Sequence, residues 1–381
     1  MTLPVNFPLD AYSQIPEIIP ASEYSRPGVE ALYFTNEPYK GKETRVFSYM
    51  GMPYLKEGQN CPAMVLIHGG GGTAFEQWVR LWNQRGYAAI AIDTCGSRPD
   101  PTAHHSSPHL RDEFSGPEGW HNSFHQMSDP LEDQWQYHAV TALLRAHTLL
   151  ATQPGVDPKR IGVSGISWGG YLTSLIMGID FRYSAAIQVY GCGFITDNST
   201  WKDQKYEGAS EAEMLLWRKQ WDPMHYLPNS NMPTLWVTGT NDFAYPLDSF
   251  QKSYNSVPGT TDLVLIHEME HGHEAGWAPE EIQTFTDSLF RDCTPLAQVI
   301  SYKVQNWVIK ASFESARPLI RAEILFTRAT GMWQDRKFNV MEAEINNNTV
   351  SVEIPDMTTV VFLNVYDDRG LVCSSPHIEL S

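Results

Sequence analysis

The chain has 381 residues, of which 42% are hydrophobic and 19% charged, a globular composition that excludes a mainly disordered chain. A single core rarely grows past about 250–300 residues, so one large domain and a smaller one are expected. Lys and Arg total 27 against 44 Asp and Glu, a formal net charge of −17 that disfavours nucleic acid, anionic membranes and polyanionic substrates as partners.

No run of about 18 apolar residues is present, so no membrane span is expected. The first 25 residues hold no Lys or Arg and no long apolar run. A secretory signal is therefore not expected. The location read from this is cytoplasmic, or secreted or periplasmic if a leader has been removed. The cysteines (Cys61, Cys95, Cys192, Cys293 and Cys373) are scattered and never form C-x-x-C. They read as small hydrophobes rather than a disulfide framework or a zinc knuckle.

In chain order, residues 1–28 are proline-rich and aperiodic and read as an arm lying on a core. Strand-like pieces follow at Ala31–Thr35 and Thr44–Met50. Ala63–Ile67 and Ala88–Ile92 are short unbroken apolar runs on either side of a helical pattern, Phe75–Arg85, closed by Gly86. Leu131, Trp135, Ala139, Ala142, Leu143, Ala146 and Leu150 recur at helical spacing, with Asp129-Pro130 placed as N-cap and first helical residue. Strands are expected at Ile161–Gly165, Ala185–Tyr190, Thr234–Thr238 and Asp262–His267. Helices are expected at Trp168–Met177, Pro246–Asn255 and Pro279–Arg291. Unbroken apolar strands alternating with helices mean a mostly parallel sheet, doubly wound, with ligands at the strands' carboxyl ends.

After Cys293 the pattern changes to Gln298–Phe313, Leu319–Thr327, Thr349–Ile354 and Val360–Tyr366, all strand-like and separated by turns. This divides the chain into a catalytic α/β domain with its arm, 1–294, and a small all-β sandwich, 295–381. Two insertions, Gly96–Ser128 and Gly191–Asn231, leave strand carboxyl ends and should overhang the ligand face.

Gly165-Ile166-Ser167-Trp168-Gly169 lies between an apolar strand and an apolar helix, the context of a nucleophile elbow. Such a turn raises the Ser167 hydroxyl above the sheet. Serine needs a base, and one should follow the last strand of the α/β domain, in His267-Glu268-Met269-Glu270-His271-Gly272-His273. His273 is chosen; His271 is the rival, otherwise a residue of the pocket wall. Asp242, just past the strand Thr234–Thr238, would orient the base. The backbone N–H groups of Trp168 and of Gly70 and Gly71, in His68-Gly69-Gly70-Gly71-Gly72, would receive the oxyanion. A phosphate loop is the competing reading of these glycines, but no Lys-Ser or Lys-Thr follows them.

These motifs resemble the α/β-hydrolase superfamily, and within it bacterial acetylxylan-esterase and dienelactone-hydrolase-like esterases, over roughly residues 30–292. The resemblance implies Ser167 as nucleophile, Asp242 as acid, His273 as base and His68-Gly69-Gly70 as oxyanion loop, with no cofactor. It implies hydrolysis of a short-acyl, acetyl-type ester, with an O-acetylated sugar or oligosaccharide as substrate. A homo-oligomer is compatible with this reading. Rivals are a uronoyl-ester hydrolase, using Arg98, Arg111 or Arg182 to hold the uronate, and a prolyl-oligopeptidase-like serine peptidase, using Glu113 and Glu118 to hold an amine. A non-enzymatic binding module is the third. His104, His105, His109, His121 and His125 crowd one loop without metal-ligand spacing, so no metal is expected. Trp201, Trp221 and Tyr245, with His271, are the expected pocket residues.

Overall fold

The computed structural model describes residues 3–100 and 109–380. His104 and His105 lie outside the described residues. The central sheet has nine strands: β1 (Ile18–Pro20), β2 (Glu30–Tyr39), β3 (Lys42–Gly51), β4 (Cys61–Ile67), β5 (Ala88–Ile92), β6 (Val156–Ile166), β7 (Ala185–Val189), β8 (Thr234–Gly239) and β9 (Thr261–Ile266). Their order is β1-β2-β3-β5-β4-β6-β7-β8-β9. β1, β2 and β3 join antiparallel, and the remaining six strands run parallel.

Alternation explains the unbroken apolar runs. Ala63, Val65 and Ile67 of β4 enter one core, while Met64 and Leu66 enter the other. With both faces covered, every position must be apolar. One face carries α1 (Glu76–Gln84) through Trp78 and Val79, and α9 (Glu280–Phe290) through Ile282 and Phe285. The other carries α2 (Trp135–Ala151), α3 (Trp168–Ile176) and α7 (Leu247–Asn255). The chain leaves β4 for β5 on one side and later returns to β6 on the other. The switch in direction lies between β4 and β6, where the carboxyl ends open a crevice.

The start of α2 corrects one expectation. Gln134, not Asp129, is the N-cap, and Leu131–Asp133 form a separate 3-10 turn. Tertiary contacts take the side chains that would have capped the helix. Asp133 accepts the Lys40 N–H at 2.7 Å, and Asp129 pairs with the Lys40 ammonium at 3.7 Å. The second insertion also holds helices that periodicity did not show: α4 (Ile195–Asn198), α5 (Thr200–Asp203) and α6 (Glu211–Trp221). Ser210 and Glu213 form a reciprocal capping box at α6, a signal present in the sequence. Buried Asp222 pins the insertion by accepting the N–H groups of Phe194, Ile195 and Met224.

From residue 298 two antiparallel sheets pack face to face. The expected strand Gln298–Phe313 is a hairpin, β10 (Gln298–Gln305) and β11 (Val308–Glu314). Then come β12 (Leu319–Thr327), β13 (Asn339–Ala343), β14 (Ile345–Asn346), β15 (Thr349–Glu353), β16 (Val360–Asp367), β17 (Val372–Ser374) and β18 (Ile378–Glu379). The orders are β10-β11-β15-β14 and β13-β12-β16-β17, with β18 also on β16. Strand β16 serves two cores with period two: Val361, Leu363 and Val365 enter the sandwich, while Val360 and Phe362 join the α/β core. The sandwich also covers the open edge of β9. Leu265 N–H donates to Ser374 Oγ at 2.7 Å, and its carbonyl accepts from Asn364 at 2.9 Å, so the edge groups of Leu265 are satisfied by side chains.

Cys61, Cys95, Cys192 and Cys373 are buried and Cys293 is exposed; all are free. Among the described residues no helix is long and apolar enough to cross a membrane.

Buried histidines make stability depend on pH. Burial lowers His147, on α2, from its ordinary 6.5 to about 4. Below about pH 6.5 the unfolded chain takes a proton on His147 that the folded chain refuses, so this histidine costs stability as pH falls toward 4. Asp222 and Asp262, raised by burial to about 6, act in the opposite sense. The difference between variants is therefore the proper measurement. Between pH 6.5 and 4.5 the urea midpoint of the wild type should fall further than that of His147→Leu.

Candidate active site

Ser167 sits at the turn from β6 into α3 with φ +57° and ψ −117°, outside the regions favoured by non-glycine residues. The turn is possible because its flanking residues have no side chains. A Cβ on Gly165 would lie 2.0 Å from the Gly169 carbonyl oxygen, and one on Gly169 would lie 2.1 Å from that of Ile67. Ser167 N–H donates to the Val189 carbonyl at 2.9 Å, which fixes the elbow to β7. The hydroxyl thus stands over the crevice between β4 and β6.

His271, not His273, stands between the serine and the acid. Its Nε2 lies 2.9 Å from Ser167 Oγ and its Nδ1 lies 2.7 Å from Asp242 Oδ2. With the proton on Nδ1, the ring donates to the carboxylate and accepts from the hydroxyl. Asp242 is buried, and its other oxygen accepts the N–H groups of Ala244 and Tyr245 at 2.9 and 2.7 Å. Those bonds keep the carboxylate aimed at the imidazole. Tyr190 stacks on His271 with centroids 4.3 Å apart, and Phe243 covers it at 4.7 Å. The Tyr190 hydroxyl also donates to the Gly272 carbonyl, tying the histidine loop to the end of β7. Tyr190 and Phe243 were not foreseen, because nothing in their local sequence sets them apart from core aromatics.

His273 faces the glycine loop after β4. Its Nε2 accepts the Gly69 N–H at 2.9 Å, and its ring packs on Phe75 with centroids 4.6 Å apart. The expected pairing of His273 with Ser167 is thus overturned by reach. Gly272 between them is extended (φ −162°, ψ 162°), and His273 opens the short helix α8 (His273–Trp277), which places its ring opposite Gly69 rather than Ser167. Desolvation, with His68 and His271 nearby, pushes His273 down to about 3.

The glycine loop is anchored from below. His68 is buried; its Nδ1 lies 2.8 Å from the Gly69 carbonyl, and its Nε2 accepts the Thr94 N–H at 3.0 Å. Gly70 adjoins the nucleophile's neighbour: a Cβ there would be 3.0 Å from Trp168 Cδ1. Gly71 has φ +73° and its carbonyl lies 3.0 Å from His109 Nε2. Trp168 N–H is the first of α3 and has no intrahelical acceptor.

The two insertions meet over this site. Phe124, from the first, packs on Trp168, Tyr206 and Trp217, the last two from the second, with centroids 5.3–6.0 Å apart. Trp201 lies 4.6 Å from Trp168 and 5.1 Å from Tyr245, so this pair does flank the nucleophile's neighbour. Trp221 does not. It is fully buried and donates to Gln134 at 2.6 Å, deep in the α/β core. Trp120, with φ +57°, lies beside Gly70 and edge-on to His68. Arg182 is bound to Asp180 and α2, Arg98 to Tyr24 and Asp112, and Arg111 to the carbonyls of Cys95 and Gly116. Glu113 and Glu118 are exposed. Among the described residues no group of three His, Cys, Asp or Glu side chains is arranged to hold a metal ion.

Residues 116–289 match the prolyl oligopeptidase family. A curated relative, the uncharacterized peptidase YuxL of Bacillus subtilis (strain 168), is 25% identical over 229 residues, 55% of this chain and 30% of YuxL. The chain therefore spans less than a third of that relative. Among solved structures, acetyl xylan esterase 1 from Thermoanaerobacterium sp. JW/SL YS485 superposes with a TM-score of 0.56 at 16% identity, covering 75% of this chain and 95% of the esterase. The acetyl xylan esterase from Paenibacillus sp. R4 gives 0.52 at 18% identity, over 72% and 92%. A puromycin-hydrolyzing peptidase of Mycobacterium tuberculosis gives 0.53 at 16% identity, over 71% of this chain but 40% of the peptidase. The strand order, the serine elbow at its switch point and these likenesses agree: the chain has the α/β-hydrolase fold.

Proposed function

We propose that the chain hydrolyses short-acyl esters, acetyl esters of carbohydrate foremost, through an acyl-enzyme on Ser167. The continuous hydrogen-bonded line Ser167–His271–Asp242 carries this reading. Ser167 Oγ attacks the ester carbonyl as His271 Nε2 takes its proton, and the Asp242 carboxylate stabilises the imidazolium. The N–H groups of Trp168 and of Gly70 or Gly71 receive the oxyanion. His271 then gives its proton to the leaving alcohol. Water, deprotonated by His271, cleaves the acyl-enzyme and restores the hydroxyl.

Two observations favour a small acyl group. Trp168, Trp201 and Tyr245 are packed closely and almost wholly buried beside the nucleophile. Two solved structures matched over more than nine-tenths of their own length are acetyl xylan esterases. Peptide hydrolysis is the second reading, favoured by the family match and by the curated relative's name. A uronoyl-ester specificity is disfavoured, because Arg98, Arg111 and Arg182 are each engaged by other groups.

The test compares p-nitrophenyl acetate, acetylated xylo-oligosaccharides and N-acyl-aminoacyl p-nitroanilides, with wild type beside Ser167→Ala. Turnover of both esters, lost in Ser167→Ala by about 10⁵-fold or more, is expected. Faster release of p-nitroaniline than of acetate would favour the peptidase. Turnover that survives Ser167→Ala would remove the serine mechanism.

A further inference from the structure

We propose that His273 is a positioning residue for the oxyanion loop: as a neutral acceptor it holds the Gly69 N–H, and so turns the next amides of the loop toward the reacting carbonyl. This rests on the serine-hydrolase reading above and assigns a task to the histidine that the chemistry leaves unused. The contact is specific. His273 Nε2 lies 2.9 Å from Gly69 N, and the ring is held from the far side by Phe75. Trp277, one turn further along the same segment, packs on Phe75 and Trp78 and fixes the whole segment against α1.

The loop is shaped to this ring. A Cβ on Gly72 would lie 2.8 Å from His273 Nε2 and 2.9 Å from its Cε1, so the ring occupies the space that a side chain there would need. Gly72 N–H in turn donates to the Gly69 carbonyl at 3.2 Å, closing the turn that carries Gly70 and Gly71. His68 grips the same Gly69 carbonyl from beneath. Gly69 is thus held at both its N–H and its carbonyl, by a histidine on each side.

Only the neutral ring with its proton on Nδ1 can accept at Nε2. Burial keeps the ring neutral throughout the range where a serine hydrolase works. His271 and His273 lie on either side of Gly272, where the loop enters α8, so the base and the brace of the oxyanion loop share one short segment. Oxyanion stabilisation depends on donors that are set before the charge forms, which is why a brace outside substrate reach affects rate. The effect belongs in kcat, because ground-state binding does not use the oxyanion amides fully.

The experiment uses the full chain with His273→Phe, which keeps a ring and loses the acceptor, and His273→Gln, whose amide oxygen can accept the Gly69 N–H. Gly72→Ala, whose Cβ displaces the ring, is the second route to the same loss. For p-nitrophenyl acetate, His273→Phe and Gly72→Ala should lower kcat by about 10- to 100-fold, with KM within about 3-fold. Affinity for an aryl trifluoromethyl ketone, whose serine adduct places an oxyanion in the site, should fall by the same factor. His273→Gln should recover most of both.

Wild-type kcat and ketone affinity in a folded His273→Phe variant would overturn the assignment. So would a loss of about 10⁴-fold or more shared equally by His273→Phe and His273→Gln, since that is the signature of a missing base. Fluorophosphonate labelling of the wild type separates the two levels. If Ser167 is not labelled, the serine-hydrolase reading itself has failed. If it is labelled and His273→Phe behaves as wild type, only the brace has failed.

Discussion

Replacing His271 by alanine should lower kcat/KM for p-nitrophenyl acetate by about 10⁴- to 10⁶-fold while leaving the protein folded. The expectation follows from geometry. Among the described residues His271 alone touches both Ser167 Oγ, at 2.9 Å, and Asp242 Oδ2, at 2.7 Å. Without it the hydroxyl has no base at neutral pH, and Asp242 keeps only its two backbone donors. The residual rate would come from the oxyanion amides and from substrate binding. His271 packs between Tyr190 and Phe243, so the variant leaves a small gap near the surface rather than a deep cavity. Its thermal midpoint should therefore stay within a few degrees of wild type. Asp242→Asn should lose less, because the carboxylate orients the base without reacting. A folded His271→Ala enzyme with near-normal turnover would show that the base lies elsewhere.

Gly165→Ala should have the largest effect on the fold itself. Its Cβ would come 2.0 Å from the Gly169 carbonyl oxygen and 2.4 Å from Thr173 Oγ1. Both atoms belong to α3 or its first turn, which is packed against the sheet. Relief requires moving the helix away from β6, at a cost of about 4 kcal/mol or more, at the high end for single substitutions. The urea midpoint should drop steeply, and any folded remainder should lack activity because Ser167 has moved. Gly272→Ala is the control. It has open space around the added carbon and an extended backbone that any residue adopts. Its stability should remain within about 0.5 kcal/mol of wild type.

The parallel part of the sheet was readable because strands buried on both faces are written as unbroken apolar runs, as at Ala63–Ile67 and Ala88–Ile92. The elbow and Asp242 were readable because motif and chain order constrain them together. The base was not. His271 and His273 lie two residues apart, the second at the start of α8, and local spacing cannot say which ring meets Ser167 and which meets Gly69. The position of the glycine loop, more than two hundred residues away in sequence, decides it. Trp221 was misplaced for a related reason. It shares its composition and its insertion with Trp201, but α6 turns it inward to Gln134. The onset of α2 failed because Lys40 claims the acidic side chains that would have capped the helix. The inner face of β16 in the sandwich gave no warning that its alternate residues complete the α/β core.

Ser167 is the residue on which the chemical reading turns, and trapping its acyl-enzyme tests that reading directly. The enzyme is mixed with p-nitrophenyl acetate, quenched in acid within the first turnovers and digested for mass spectrometry. One acetyl group on the peptide carrying Ser167 in the wild type, and none there in Ser167→Ala, is the predicted result. With His271→Ala the same peptide should acquire its acetyl group only over hours. Rapid turnover with no acetylated Ser167 at any time, or an acetyl group on another residue at the rate of turnover, would contradict it.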